Sequence, residues 1–293
     1  MAGYRPAEAV AIFERSLALR PRDATALRGL GQAQLDLGHS TEALESFRKA
    51  LVILPYDHYA AHMIASLSGE ASRPATGYVA ELFDSYASTF DTHLTSTLHY
   101  DLPQLLRAKL APLLLATPVR AMLDLGCGTG LAGLALSDLA SAIDGIDISP
   151  KMLAKAAERG IYRHLRTGDA TALLATDPIF SGPYDLVTAA DVFIYFATLE
   201  PIFAAVARVV PTGGLFAFSV ETAPAEEIVL RSSGRFAHPA HHVETLAGRF
   251  GFAIIEQHGF AVRHERNQPI AGTLYVLRRV FAASPLEIAA DVD

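Results

Sequence analysis

The stretch Met122 to Gly130, MLDLGCGTG, constrains this chain more than any other. Apolar Met122, Leu123 and Leu125 read as a strand. Gly126, Gly128 and Gly130 alternate through the turn that ends it, and an apolar helical segment, Leu131 to Leu139, follows. A turn without Cβ atoms lets a ligand approach the backbone closely. Open α/β sheets bind ligands beyond the carboxyl ends of their strands, and Asp124 falls at that end. The spacing narrows the ligand. A dinucleotide fingerprint, G-x-G-x-x-G, needs glycine at position 131, which is leucine; a phosphate loop needs a lysine opening the helix, and the nearest are Lys151 and Lys155. Asp124 would repel a pyrophosphate and suits a cationic ligand. The competing reading is a structural turn that binds nothing.

Around this loop, strand and helix patterns alternate from Val119 onward, which predicts a mostly parallel, doubly wound α/β sheet. The expected strands are Arg120–Leu125, Ala142–Ile146 (ending in Asp147), Tyr162–Arg166, Tyr184–Ala190 and Leu215–Val220. Ala253–Phe260 and Gly272–Arg278 should form an antiparallel edge hairpin. Pro150 suits the first turn of a helix after the second strand. Asp147 lies 19 residues past Gly128, close to the roughly 20-residue spacing at which an acidic residue meets a ribose. Asp144 sits at the wrong end of the same strand.

D-L-G-C-G-T-G resembles motif I of the class I S-adenosylmethionine-dependent methyltransferases, and IDGIDISPKML resembles their second motif. The resemblance implies an enzyme with a Rossmann-like seven-stranded sheet, S-adenosylmethionine as cofactor and S-adenosylhomocysteine as product. It places Asp124 toward the amino-acid end of the cofactor, with Gly126, Cys127, Gly128 and Gly130 under it. Asp147 and Ile148 fall at the ribose, Met152 against adenine (or simply in the core), and Asp169 with Ala170 at the adenine amino group, where Asp169 also reads as a helix N-cap. Ala190 and Asp191 fall beside the methyl-transfer centre. The segment YVAELFDSYASTFD, Tyr78 to Asp91, resembles the family's cofactor lid and nominates Tyr86 and Phe90; an amphipathic covering helix is the plainer reading. The amino-methylating signature [ND]-P-P-[FY] is absent, since the sequence there reads A-A-D-V-F.

The N-terminal part repeats. Glu8-Ala9 recurs as Glu42-Ala43, Phe13 as Phe47, Leu17 as Leu51, Pro21 as Pro55 and Asp23 as Asp57, each 34 residues apart. That is the tetratricopeptide period. Ala43 and Ala50 should let two helices approach, with Phe47 between them. Fewer than three repeats seldom stand alone, so this all-α module should pack on the next domain or on a partner. The expected division is a helical module at 1–70, a linker and lid at 71–118 (Gly69–Pro74 the break, Leu102–Leu115 the last helix), a catalytic domain at 119–281 and a tail at 282–293. Repeats joined to this lid also resemble a bacterial group of predicted repeat-containing methyltransferases.

Methyl transfer from a sulfonium asks the protein mainly to position the acceptor and exclude water. A carboxylate acceptor needs no base; a hydroxyl or protonated amine does. Candidates are His238, His241, Asp191, His93 and Glu221. The stretch 222–242 breaks the strand–helix pattern and should border the acceptor; His238, His241 and His242 there lack the partners of a metal site, and no metal is expected. The 293 residues carry a net charge of −7 and 51% hydrophobic residues. That favours a small-molecule acceptor over nucleic acid, with a protein acceptor docked by the repeats as the second choice and a non-catalytic, cofactor-binding interaction protein as the third. The one cysteine, Cys127, excludes an internal disulfide and fits the turn as a small residue. No signal peptide and no run of about 20 apolar residues is present, so a cytoplasmic protein without membrane contact is expected.

Overall fold

The computed structural model describes residues 5–68, 76–88, 90–92, 100–114, 118–224, 226–231, 233–265 and 268–281. The expected linker at Gly69–Pro74, the tail from Ala282 and the candidate base His93 lie outside them. The chain divides into two compact units: Met1–Tyr78 with Leu230–Arg235, and Val79–Val229 with Phe236–Asp293.

Among its described residues the first unit holds the helices α1 (Pro6–Leu19), α2 (Ala24–Asp36), α3 (Ser40–Ile53) and α4 (His58–Ser68). The repeated aspartates explain themselves. Asp23 caps α2 by accepting from the Ala26 N–H at 3.0 Å, and Asp57 caps α4 by accepting from the Ala60 N–H at 3.0 Å; each such cap contributes about 1 kcal/mol. Ala43, Phe47 and Ala50 on α3 are fully buried. A Cβ on Gly31 would stand 3.0 Å from the Phe47 ring, so the glycine admits the ring between α2 and α3.

The second unit is a sheet wrapped by helices. Its strands are β1 (Met122–Leu125), β2 (Ile143–Asp147), β3 (His164–Thr167), β4 (Leu186–Ala189), β5 (Leu215–Thr222), β6 (Val229–Leu230), β7 (Phe236–His238), β8 (Phe252–Glu265) and β9 (Gln268–Arg279). β3, β2, β1, β4 and β5 run parallel in that order; β9 then pairs antiparallel with β5, and β8 with β9. The doubly wound class expected from the sequence is what the chain adopts. Among the described residues the sheet has nine strands where seven were expected, because β5 outruns β4 and its last residues pair with β7, Glu221 opposite Ala237 and Thr222 opposite His238, with β6 beyond β7. β6 and β7 are too short to show a two-residue apolar period. β1 and β4 start two residues later than the apolar runs suggested, because the residues ahead of them are tied by side chains: the Arg120 N–H and guanidinium both donate to the Asp185 carboxylate. The β8–β9 hairpin is longer than expected and continues as a polar two-stranded ribbon, with irregularities at Ile254/Glu256 and Ala261/Arg263.

Alternation along the strands feeds two cores. Met122, Leu186, Ala217 and Val276 face Leu102, Leu106 and Leu110 of α7 (Leu102–Leu114). Leu123, Leu125, Val187, Phe216 and Phe218 face the other way, toward Ile202, Phe203 and Val206 of α11 (Glu200–Val209) and Val243 and Leu246 of α12 (Ala240–Arg249). Strands buried on both faces read as continuous apolar runs. That is why Asp124, Thr188, Ser219 and Glu221, all nearly inaccessible, stand out: each lies on the α7 side of the sheet, in its carboxyl-terminal half.

Candidate active site

The glycine loop leaves β1 with Gly126, Gly128 and Gly130 in the left-handed region, at φ of 59°, 56° and 88°. A Cβ on Gly126 would come within 2.5 Å of Val192, so that glycine is needed for packing. Gly128 differs: among the described residues only the Phe90 ring comes near its position, at 3.9 Å. Among the described residues the backbone there faces an open cradle rather than a packed neighbour.

Asp147 ends β2 against this cradle. One carboxylate oxygen accepts from the Gly128 N–H at 2.8 Å, and the other from the Ser149 N–H at 2.8 Å. Burial raises its carboxyl above the usual range, against the pull of these backbone donors. Ser149 in turn caps α9 (Pro150–Glu158), accepting from the Met152 N–H. Ile148 is half-buried, and Met152 is fully buried on α9. Asp169 caps α10 (Ala170–Thr176) by accepting from the Ala172 N–H at 2.9 Å.

Asp124 is enclosed. Its oxygens accept from the Tyr162 hydroxyl at 2.8 Å and from the Thr188 hydroxyl at 3.0 Å. Burial pushes its carboxyl up to about 6, against the hydrogen bonds from Tyr162, Thr188 and the Gly133 backbone. Tyr162 reaches it through a slot that side chains would close: a Cβ on Gly133 would lie 2.3 Å from the Tyr162 hydroxyl oxygen. The Cys127 thiol is raised well above its ordinary value by burial and then by Asp124 and Asp147. It stays protonated and is no nucleophile.

The one-turn α6 (Phe90–Thr92) touches the loop, and α5 (Thr76–Tyr86) touches the head of α9 beside it. Asp84 accepts from the Ser149 hydroxyl at 2.5 Å and from the Lys151 N–H at 3.3 Å, at the head of α9. Asp91 accepts from the Thr129 hydroxyl inside the loop, and from Arg159 at 2.6 Å. Phe90 and Phe83 meet edge to face, and Phe83 meets Tyr195 likewise. Tyr86 is 47% exposed.

Past β4, Ala190 and Asp191 are half-buried. Asp191 takes a left-handed φ of 58°, rare for a residue with a Cβ, and its N–H donates to the Ser219 hydroxyl at 2.9 Å. Strain of this kind clusters at functional sites. Tyr100 lies close enough to Asp191 and Asp124 that, after burial itself, their charges push its phenol well above the usual value. His238 is buried on β7. Its Nε2–H donates to the Phe193 carbonyl at 3.2 Å, and its Nδ1 has no hydrogen-bond partner among the described residues. Burial pushes the imidazole down to about 4, so it is neutral and a weak proton acceptor. His241 is exposed at the start of α12, and His242 stacks on His238 at 6.1 Å between ring centres. Glu221 is fully buried at the end of β5. Asp144 is buried at the far end of β2, held by Arg163, His164 and the Tyr184 hydroxyl.

The sequence did not single out Tyr162, Thr188, Ser219, Tyr100, Asp84 or Asp91. Only the last two carried a signal: Phe83-Asp84 and Phe90-Asp91 are the same dipeptide seven residues apart.

Against this geometry, residues 123–216 match the methyltransferase domain family, and residues 3–58 match a tetratricopeptide repeat family. The chain carries a methyltransferase domain behind tetratricopeptide repeats. It is 35% identical over 104 residues to a malonyl-[acyl-carrier protein] O-methyltransferase of Geobacter sulfurreducens, covering 34% of this chain and 38% of that protein. It is 30% identical over 117 residues to a ubiquinone biosynthesis O-methyltransferase of Thiobacillus denitrificans, covering 39% of this chain and 50% of that one. The chain thus spans half or less of the length of these relatives. Its fold is that of the magnesium protoporphyrin IX methyltransferase of Synechocystis, at a TM-score of 0.53, 18% identity and coverage of 70% of this chain and 99% of that one. An S-adenosylmethionine-dependent methyltransferase of Clostridium acetobutylicum gives 0.50 at 16% identity, covering 68% and 100%. Among the described residues no helix is long and apolar enough to cross a membrane.

Proposed function

We propose that this chain binds S-adenosylmethionine on the Gly126–Gly130 loop and methylates a small-molecule acceptor, releasing S-adenosylhomocysteine. The observation that carries the reading is the Asp147 carboxylate, held by the Gly128 and Ser149 N–H groups beside an open glycine cradle. The residues present fit the cofactor: the Asp147 carboxylate can accept from ribose hydroxyls, and the loop has no side chain at Gly128 to exclude them. When bound, the cofactor supplies a methyl group already activated as a sulfonium.

This chain's own residues do the rest. The loop backbone and Asp124 serve the cationic amino-acid end, Asp147 and Ile148 the ribose, and Met152, Asp169 and Ala170 the adenine. Phe90, with Tyr86 on the same segment, covers the cradle and excludes water, and Asp84 and Asp91 hold that segment down. On the acceptor side, Ala190 and Asp191 line the end of β4. Asp191, fixed by Ser219 and near Tyr100, is the better placed base for an acceptor hydroxyl, since His238 is pushed down to about 4 and already donates its Nε2–H. The relatives' names, O-methyltransferases of malonyl-[acyl-carrier protein] and of ubiquinone biosynthesis, favour an oxygen acceptor. The repeats offer a surface for a protein partner.

Calorimetry with S-adenosylhomocysteine tests the cofactor assignment directly: micromolar binding is expected, and no binding below about 1 mM would overturn it. Asp147→Ala removes the ribose acceptor and strands two backbone donors, at a cost of roughly 1.5–3 kcal/mol. The dissociation constant should rise by roughly 10- to 150-fold. An unchanged constant would move ribose recognition elsewhere.

A further inference from the structure

Residues Leu230–Arg235 belong to the repeat unit, although the chain reaches them only after β5. They form a turn closed on itself: the Arg231 N–H donates to the Arg235 carbonyl, and the Gly234 N–H to the Arg231 carbonyl, both at 2.8 Å. Two side chains of α4 hold that turn. His62 Nε2 meets the Gly234 carbonyl oxygen at 2.6 Å, and the Ser66 hydroxyl donates to the Arg231 carbonyl at 2.5 Å. A carbonyl only accepts, so His62 carries its proton on Nε2. The His62 ring is buried and stacks on Tyr78 at 4.4 Å with an interplanar angle of 18°. Gly234 has a φ of +76°, and a Cβ there would lie 2.6 Å from His62 Nε2. The turn is therefore shaped to the histidine.

The repeat itself shows that these two positions are special. One period earlier, His62 corresponds to Arg28 and Ser66 to Gln32. Those residues serve their own unit, Arg28 packing over Tyr59 and Gln32 donating to Asp36. Two apolar positions keep their type across the same period, Ala26 matching Ala60 and Leu30 matching Ile64. Only the second repeat carries a pair of donors for a foreign main chain.

The held turn is the middle of the connection between β5 and α12. That connection leaves β5 after Glu221 and Thr222 and returns as β7, which pairs with those same two residues. Both of its roots thus lie at the carboxyl end of β5, the ligand side of an open α/β sheet. We propose that α4 of the repeat unit is the anchor of this acceptor-side loop, with His62 and Ser66 fixing it through the Gly234 and Arg231 carbonyls. The repeats then act within the chain, as a mount for the loop. The anchoring stands on the geometry alone; calling the loop acceptor-side rests on the function proposed above.

The test uses the full-length protein. His62→Leu with Ser66→Ala removes both donors and keeps the pocket filled. His62→Gln places an amide donor near the position of Nε2, and Ser66→Ala alone is the milder probe. Trypsin cleavage after Arg231 and Arg235 is timed, and S-adenosylhomocysteine binding is measured by calorimetry on the same samples. The double variant should be cut roughly tenfold faster or more, since each lost hydrogen bond is worth about a factor of five in local opening. Ser66→Ala should be intermediate and His62→Gln near the parent, with cofactor affinity unchanged within about twofold throughout. Unchanged cleavage in the folded double variant, or in Ser66→Ala should the double variant not fold, would overturn the anchor. So would failure of His62→Gln to restore protection, or loss of cofactor affinity in step with cleavage. If the parent itself binds no S-adenosylhomocysteine, the cofactor assignment alone falls and the cleavage rates still decide the anchor.

Discussion

Gly128→Val is expected to abolish S-adenosylhomocysteine binding, raising the dissociation constant more than about 100-fold, in a protein that still folds. Gly128 sits at a φ of 56°. A β-branched residue there is strained by about 1–3 kcal/mol, which a domain stable by about 5–15 kcal/mol can absorb. The strain is not the main effect. The new methyl groups would project into the space that, among the described residues, only Phe90 borders, at 3.9 Å, where the proposed ligand would meet the backbone. Relieving the strain would also rotate the N–H away from Asp147, which it now meets at 2.8 Å. Gly128→Ala should fall between, keeping the strain and adding one methyl. Calorimetry read beside the thermal midpoint checks this, and a valine variant that binds within about threefold of the parent would show that the loop is not the cradle.

The parts legible in the sequence are those that a local pattern dictates. The parallel sheet follows from apolar runs alternating with helical periods, because each strand must be buried on both faces. The repeat follows from Asp23 and Asp57, whose capping role depends on four consecutive residues. Asp124 and Asp147 stood out in strands with acidic residues toward their ends, whereas Asp169 read equally as a helix N-cap, the role its bond to the Ala172 N–H gives it. What escaped is everything assembled across elements. Tyr162 finds Asp124 only because Gly133 leaves it room, and neither residue announces the other from a distance in the chain. Ser219 fixes Asp191 from the adjacent strand. Asp84 and Asp91 sit among aromatics that drew the eye to Tyr86 and Phe90, yet the two carboxylates make the polar contacts to the loop and to α9. The assignment of 230–235 to the repeat unit was invisible for the same reason: a turn carries no sign of which helix will accept it.

Asp124 shows the site working against the fold. Asp124→Asn should stabilise the protein near neutral pH by up to about 3 kcal/mol while weakening the cofactor. The carboxyl titrates at about 6 in the folded chain, raised from 3.8 by burial. Below about pH 4 it is protonated folded and unfolded alike, and costs nothing. As the pH rises from there, the unfolded chain ionises first and gains relative to the fold; above the folded value of about 6 the cost is complete. Asparagine removes that titration and keeps the hydrogen bonds. Its carbonyl can accept from Tyr162 and the Gly133 N–H, and its amide can donate to the Thr188 hydroxyl, which now donates at 3.0 Å. Urea unfolding of both proteins at about pH 4 and about pH 7.5 should therefore give equal stabilities at the lower pH and the asparagine variant ahead at the higher. A variant less stable at both would make the carboxylate a net contributor to the fold and remove this account. Parent and variant should rank oppositely in affinity, because the ionised form alone attracts the positive end of the ligand. A charge on a strand buried along its whole length lowers stability, a trade expected of a residue that serves binding.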